Sequence, residues 1–246
     1  MFYLLSGKDD DLNSNELEKT LLNLTGKSSP FLLYFPTAMK NNKRSIDHFI
    51  KTFEGLSVFI KVVEVETLSY SELDALFSIA DIIYIGGGNT AYLKNQFVKY
   101  NVDKLIKKYI VQNNKIFAGL SAGAILYSKC GMGDSLSYQS GDHYYNFQMV
   151  DGLNLINLVF CPHYQKEDLY IFNEIGLSSK LALALEDDTA VLIDNNKINV
   201  FKANKRHSVY LFKDGIMEPI YPNNDYYIWK NIRFDISLNR IVYKWL

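Results

Sequence analysis

The sequence is poor in cysteine and proline, and neither charge is in excess. Two cysteines in 246 residues, Cys130 and Cys161, exclude a disulfide framework, and their spacing is not that of a metal site. Each is expected as a buried free thiol, and the cytoplasm as the location. Lys and Arg number 26 against 27 Asp and Glu, a formal charge of −1, so nothing global points to nucleic acid or to an anionic membrane surface. The short run from Lys40 to Arg44 reads as a solvated loop. No stretch of 18 apolar residues occurs, so no transmembrane helix is expected. The opening Met1-Phe2-Tyr3-Leu4-Leu5-Ser6-Gly7 has neither the charged leader nor the long apolar stretch of a signal peptide. Internal repeats and low-complexity linkers are also missing.

What is present is apolar sequence in short, punctuated runs. The apolar share of 48% suffices for a sizeable core, and the length fits one α/β domain. Residues 2–5, 31–35, 58–63, 81–85, 115–118 and 157–161 read as strands. Continuous runs such as Phe31 to Phe35 suit strands buried on both faces of a parallel sheet. Helical stripes lie between them: Leu17, Leu21, Leu22 and Leu24 behind an N-cap at Ser14; Ile46, Phe49, Ile50 and Phe53 before a stop at Gly55; Leu73, Leu76 and Phe77 behind an N-cap at Ser71. Further helices are expected from about Ala91, between Val102 and Val111, and from Ala122.

Strand and helix thus alternate. The expected fold is α/β, a mostly parallel doubly wound sheet with helices on both faces. Residues 189–194, 197–202 and 207–212 are strand-like and joined by the turn signals Asn195-Asn196 and Asp214-Gly215. They predict an antiparallel C-terminal extension, so that residues 1–246 form a single domain with residues about 189–246 as extension and tail. The aromatic tail from Tyr221 is expected to pack across the sheet.

Candidate chemistry collects at the carboxyl ends of the strands, where sites form in such sheets. Gly119-Leu120-Ser121-Ala122-Gly123, after a strand and before a helix, has the nucleophile-elbow pattern. A serine there must sit on a tight turn with small neighbours, because strand and helix approach closely. The N–H of Ala122 at the helix N-terminus can then stabilise an oxyanion. Gly86-Gly87-Gly88-Asn89-Thr90 ends another strand and leaves backbone N–H groups bare for an anion. It lacks the lysine of a P-loop and the spacing of a dinucleotide fingerprint.

A base requires an imidazole. His163 directly follows the strand at 157–161, stiffened by Pro162, and is preferred over His48, His143 and His207. It would take the proton of Ser121 and return it to the leaving group. For the acid that orients His163, the candidates are Asp134, Glu186 and Asp187. Spacing does not separate them.

These pieces together resemble the peptidase E and cyanophycinase family of serine peptidases, whose fold is related to the class I glutamine amidotransferases. The matching segments are Ile85-Gly86-Gly87-Gly88-Asn89-Thr90, Gly119-Leu120-Ser121-Ala122-Gly123-Ala124, Cys161-Pro162-His163-Tyr164 and Asp187-Asp188-Thr189-Ala190. The resemblance covers about residues 1–200. It implies Ser121 as nucleophile, His163 as base, and Gly87 or Gly88 with Ala122 as oxyanion donors. It also implies Asn89 as a contact to the substrate backbone. Asp134 matches the aspartate assigned to the charge relay in the peptidase E branch, and Asp187 matches the place of a glutamate in the cyanophycinase branch. The aspartyl dipeptidase branch carries an arginine shortly after its histidine; residues 164–179 here hold Lys166 but no arginine.

The resulting expectation is a serine peptidase, dipeptidase-like or a related exopeptidase, acting on small peptides through an acyl-enzyme. No metal or organic cofactor, nucleic acid or membrane is required, and apolar surface would allow a homodimer. The alternative is a non-hydrolytic, amidotransferase-like binding or regulatory domain. The glutaminase relatives use a cysteine at the elbow, where this chain has serine. An ordinary α/β-hydrolase esterase is disfavoured by the short stretch between Ser121 and His163.

Overall fold

The computed structural model describes residues 1–8, 14–112, 114–135, 147–165, 170–227, 232–235 and 240–243. In chain order the elements are β1 (Phe2–Leu5), α1 (Glu16–Asn23), β2 (Phe31–Phe35), α2 (Lys43–Thr52), β3 (Phe59–Val62), α3 (Tyr70–Ile79), β4 (Ile82–Ile85), α4 (Thr90–Lys99), α5 (Val102–Ile110), β5 (Ile116–Leu120) and α6 (Ala122–Tyr127). There follow β6 (Ser128–Gly133), β7 (Gln148–Asp151), β8 (Ile156–Cys161), α7 (Tyr170–Ser178), β9 (Leu181–Leu185), β10 (Thr189–Asp194), β11 (Lys197–Lys202), β12 (Val209–Lys213), β13 (Ile216–Ile220) and β14 (Tyr226–Tyr227). A last hairpin pairs β15 (Ile232–Asp235) with β16 (Arg240–Tyr243).

The first sheet runs β14-β11-β10-β1-β5-β4-β2-β3. Its five members β1, β5, β4, β2 and β3 are parallel, and β10, β11 and β14 add antiparallel strands beside β1. The buried runs Phe2–Leu5 and Ile82–Ile85 need cover on both faces, and they receive it. Tyr3, Leu5, Tyr34 and Tyr84 pack against Leu17 and Leu21 of α1, Phe49 of α2 and Phe53 just after it. Leu4, Phe35, Ile83 and Ile85 face Phe77 of α3, Leu93 and Phe97 of α4, Leu105 of α5 and Ile125 of α6. The mixed α/β class expected from the alternating pattern is what the chain adopts.

The structure adds a second sheet, ordered β13-β12-β9-β8-β6-β7. Its centre, β6, β8 and β9, is parallel. The predicted antiparallel extension is divided between the two sheets: β10 and β11 join the first, and β12 and β13 join the second. Leu158, Phe160, Leu183 and Leu185 on its inner side belong to the same apolar cluster as Leu4 and Phe35. Phe172 of α7 covers its outer side with Val159, Ala184 and Phe212. Every residue of β9 is buried, so this strand fits only between two layers.

Local signals deviate in small ways. The N-cap of α3 is Ser69, which shares a capping box with Glu72, while Ser71 lies within the helix. α1 begins at Glu16, whose N–H meets Ser14 Oγ at 3.3 Å. Cys161 is buried as expected, but Cys130 is only half-buried; both are free. Of the tail, Tyr226 and Tyr227 pair with β11. Among the described residues, no helix is long and apolar enough to cross a membrane.

Candidate active site

β5 ends at Leu120, and Ser121 takes φ +49° and ψ −106° before α6 starts at Ala122. A non-glycine residue in that conformation is strained, and its neighbours show why it is imposed. A Cβ on Gly119 would overlap the backbone of Gly123 and Ala124, and a Cβ on Gly123 would overlap the carbonyl oxygen of Ile85. α6 therefore leaves β5 so close to β4 that only glycine fits at both places, and Ser121 takes up the reversal. Serine at an N-cap ordinarily accepts a first-turn N–H. Ser121 makes no such bond; its Oγ lies 3.0 Å from His163 Nε2.

His163 comes from the other sheet, two residues beyond β8, with φ +51°. Its Nδ1 is 2.7 Å from Asp187 Oδ1, and the two side chains are 42% and 29% exposed. Asp187 is two residues beyond β9, which pairs in parallel with β8. A proton on Nδ1, directed at the carboxylate, leaves Nε2 as an acceptor for the Ser121 hydroxyl. Burial acts to raise the Asp187 carboxyl. The hydrogen bond and charge of His163, the Ser6 hydroxyl and the charge of His207 outweigh it and hold the group below the ordinary aspartate value.

The other two acid candidates lie elsewhere. Asp134 does not follow α6 directly, because β6 intervenes; it stands at the end of that strand. Burial raises its carboxyl, against the opposing effects of its own backbone N–H and the charge of His163. Both ring nitrogens of His163 are already engaged by Ser121 and Asp187. Glu186 turns toward β12, accepting the N–H of Ser208 at 2.7 Å and the hydroxyl of Tyr210 at 3.4 Å.

The glycine segment borders Ser121 because β4 is the neighbour of β5. Its ends are tied down: Gly86 donates to Phe35 O and Asn89 donates to Ala38 O, both at 3.0 Å. Among the described residues, the N–H groups of Gly87 and Gly88 have no acceptor. A Cβ on Gly87 would stand 3.4 Å from Ser121 Cβ, and Gly88 has φ +127°. Ala122 opens α6 directly after Ser121. Asn89 closes the segment. It is buried, and its side chain accepts from Tyr92 N–H at 2.8 Å and donates to Ser135 O at 3.1 Å. Its amide caps α4 and holds the residues that follow β6.

Three residues at this edge escaped sequence reasoning in their roles. The hydroxyl of Ser6 accepts the N–H of His163 at 2.7 Å. Gly7 follows it, where a Cβ would overlap both His163 and Asp187. His207, considered only as a possible base, places Nδ1 2.6 Å from the carbonyl oxygen of Asp187. The strand-end rule that selected Ser121 and His163 applies equally to Ser6-Gly7 after β1 and could have found them. His48 is exposed on α2, and His143 and Lys166 lie outside the described residues. Burial pushes the thiol of Cys161 up, which opposes the thiolate a cysteine nucleophile requires. Among the described residues, no three His, Cys, Asp or Glu side chains cluster as metal ligands would.

Fold and site define a class: a two-sheet α/β protein with a serine on a strained strand-to-helix turn, hydrogen-bonded to a histidine that a carboxylate holds. The chain belongs to peptidase family S51, whose model matches residues 2–201. It is 27% identical over 151 residues to the uncharacterized peptidase YgaJ of Bacillus subtilis strain 168, a match covering 61% of this chain and 62% of that relative's length. Its fold is similar to that of a peptidase from an acI-B1 Actinobacterium, with TM-score 0.68, 19% identity, and coverage of 92% of this chain and 96% of the other. It is also similar to a Listeria monocytogenes EGD-e structure assigned to peptidase E, with TM-score 0.62, 22% identity, and coverage of 82% and 98%.

Proposed function

We propose that this chain is a serine peptidase in which Ser121 is the nucleophile, His163 the general base and Asp187 the acid that orients it. The observation that carries the reading is the continuous chain from Ser121 Oγ to His163 Nε2 at 3.0 Å and from His163 Nδ1 to Asp187 Oδ1 at 2.7 Å. Membership of a peptidase family supports it. Ser121 Oγ attacks the carbonyl carbon of a peptide bond while His163 Nε2 takes its proton. The developing oxyanion is met by N–H groups of Gly87 or Gly88 and Ala122. His163 then protonates the leaving amine, and an acyl-enzyme remains on Ser121. Water, deprotonated by the same imidazole, releases the acid and restores the hydroxyl. The substrate is a small peptide, the enzyme is exopeptidase- or dipeptidase-like, and it works in the cytoplasm. In this reading Asp134 has no part in the relay.

Incubation with a fluorophosphonate is expected to add one label, on Ser121, as read by intact mass and peptide mapping. Ser121→Ala is expected to abolish labelling and to lower kcat on a cleaved peptide by a factor on the order of 10⁶. Native protein that takes no label, with peptide cleavage equal in wild type and Ser121→Ala, would sink the proposal and favour a binding domain.

A further inference from the structure

The strained backbone of His163 must be held by something outside its own strand. A non-glycine residue at φ +51° persists only where its surroundings determine it. The N–H of His163 is taken by Ser6 Oγ at 2.7 Å, across 157 residues of chain. The same oxygen lies 2.8 Å from the carbonyl of Leu185 and 3.2 Å from Asp187 Oδ1. A serine hydroxyl has one proton and two lone pairs. It can therefore accept from His163 and donate to Leu185 or to Asp187. Ser6 is completely buried, so its hydroxyl finds its partners within the protein.

The surroundings of Ser6 make the position rigid. Its own N–H donates to Thr189 O at 3.1 Å, and the next carbonyl, of Gly7, accepts from Asp188 N–H at 3.0 Å. The two residues that follow Asp187 are thus bound to Ser6 and Gly7, directly after β1. Gly7 has no Cβ, and only that absence leaves room for His163 and Asp187 to meet over it. Ser6 follows β1 and Ser121 follows the neighbouring β5, both strands of the first sheet; His163 and Asp187 follow strands of the second.

We propose that Ser6 is a positioning residue, the tie that sets the His163–Asp187 pair of one sheet at the correct height over Ser121 of the other. Its functional meaning rests on the relay proposed above; its geometric content does not. Without the hydroxyl, the partly buried N–H of His163 loses its acceptor, and Asp187 loses one of the groups that keep it ionised. The groups facing Asp187 are then His163 and His207, with Asp188 and Glu186 on the same turn.

The test compares wild type with Ser6→Ala, Ser6→Cys and the hydroxyl-retaining Ser6→Thr. Three quantities are read: the pH titration of the Asp187 carboxyl carbon by NMR, the far-downfield proton on His163 Nδ1, and the rate of fluorophosphonate labelling at Ser121. In Ser6→Ala, Asp187 is expected to titrate at higher pH and the downfield proton to weaken. Labelling is expected to slow by about tenfold to a hundredfold, the scale of a small misplacement at a reacting centre. Ser6→Thr is expected to return all three toward wild type. If Ser6→Ala does not fold, Ser6→Cys, with its weak donor and acceptor, is expected to move them in the same direction. Wild-type titration and an unchanged downfield proton in a folded Ala or Cys variant would overturn the proposal. Wild-type protein that never labels would overturn the peptidase reading instead, and the two NMR quantities would still decide the role of Ser6.

Discussion

Two aspartates with opposite surroundings face one histidine. Asp187 is stabilised as an anion by His163, Ser6 and His207, whereas Asp134 is penalised as one by burial. Asp187→Asn is expected to lower kcat by about 10⁴, because the imidazole loses the carboxylate that fixes its tautomer. Asp134→Asn is expected to leave kcat within the same order of magnitude. Steady-state rates on any cleaved peptide, or labelling rates at Ser121, distinguish the two. The sequence could not make this choice. Asp134 follows the elbow more closely along the chain, while Asp187 reaches His163 only because β9 lies beside β8.

Stability against pH carries the same asymmetry. Asp187 has a folded value below its unfolded value of about 3.9, so its contribution is complete above that value and is lost as pH falls through the folded one. Asp134 is raised, so its cost begins as pH rises through the unfolded value. Chemical denaturation from about pH 5 downward is therefore expected to show a shallower acid loss in Asp187→Asn than in wild type. Near neutral pH, Asp134→Asn is expected to be at least as stable as wild type.

At the scale of elements, the turn at Ser121 is a close-approach device. Strand β5, helix α6 and strand β4 come so near that Gly119 and Gly123 have no space for a methyl group. Gly123→Ala is expected to destabilise the protein by about 3 kcal/mol, as overpacking against fixed backbone does. It should also slow Ser121 labelling by displacing the turn; urea unfolding and labelling kinetics measure the two effects. This element was legible in the sequence, since small residues at fixed offsets have a local cause. So were the parallel strands, whose apolar runs are continuous. The second sheet was not legible. Its strands carry the same apolar signature as those of the first, and only long-range pairing decides that β9 joins β8 and β12 while β10 joins β1. The positioning role of Ser6 was hidden for the same reason, since its partners lie in the other sheet.

At the scale of the whole molecule, one apolar cluster joins both sheets, with Phe160 of β8 fully buried in it beside residues of β1 and β2. Phe160→Ala is expected to cost about 3–5 kcal/mol. Because the sheets share this core, unfolding is expected as a single transition, in which loss of far-UV ellipticity and loss of Ser121 labelling coincide. Two separated transitions would show that the sheets are independent units.

The antiparallel pairing of β10 with β1 also orders events during synthesis. Strand β1 is made first, yet its partner at residues 189–194 and both His163 and Asp187 leave the ribosome much later. A nascent chain that has already exposed Ser121 still lacks His163, Asp187 and the segment at Asp188 and Thr189 that bonds Ser6 and Gly7. The arrangement of Ser121, His163 and Asp187 therefore closes late, when most of the chain is available to fold.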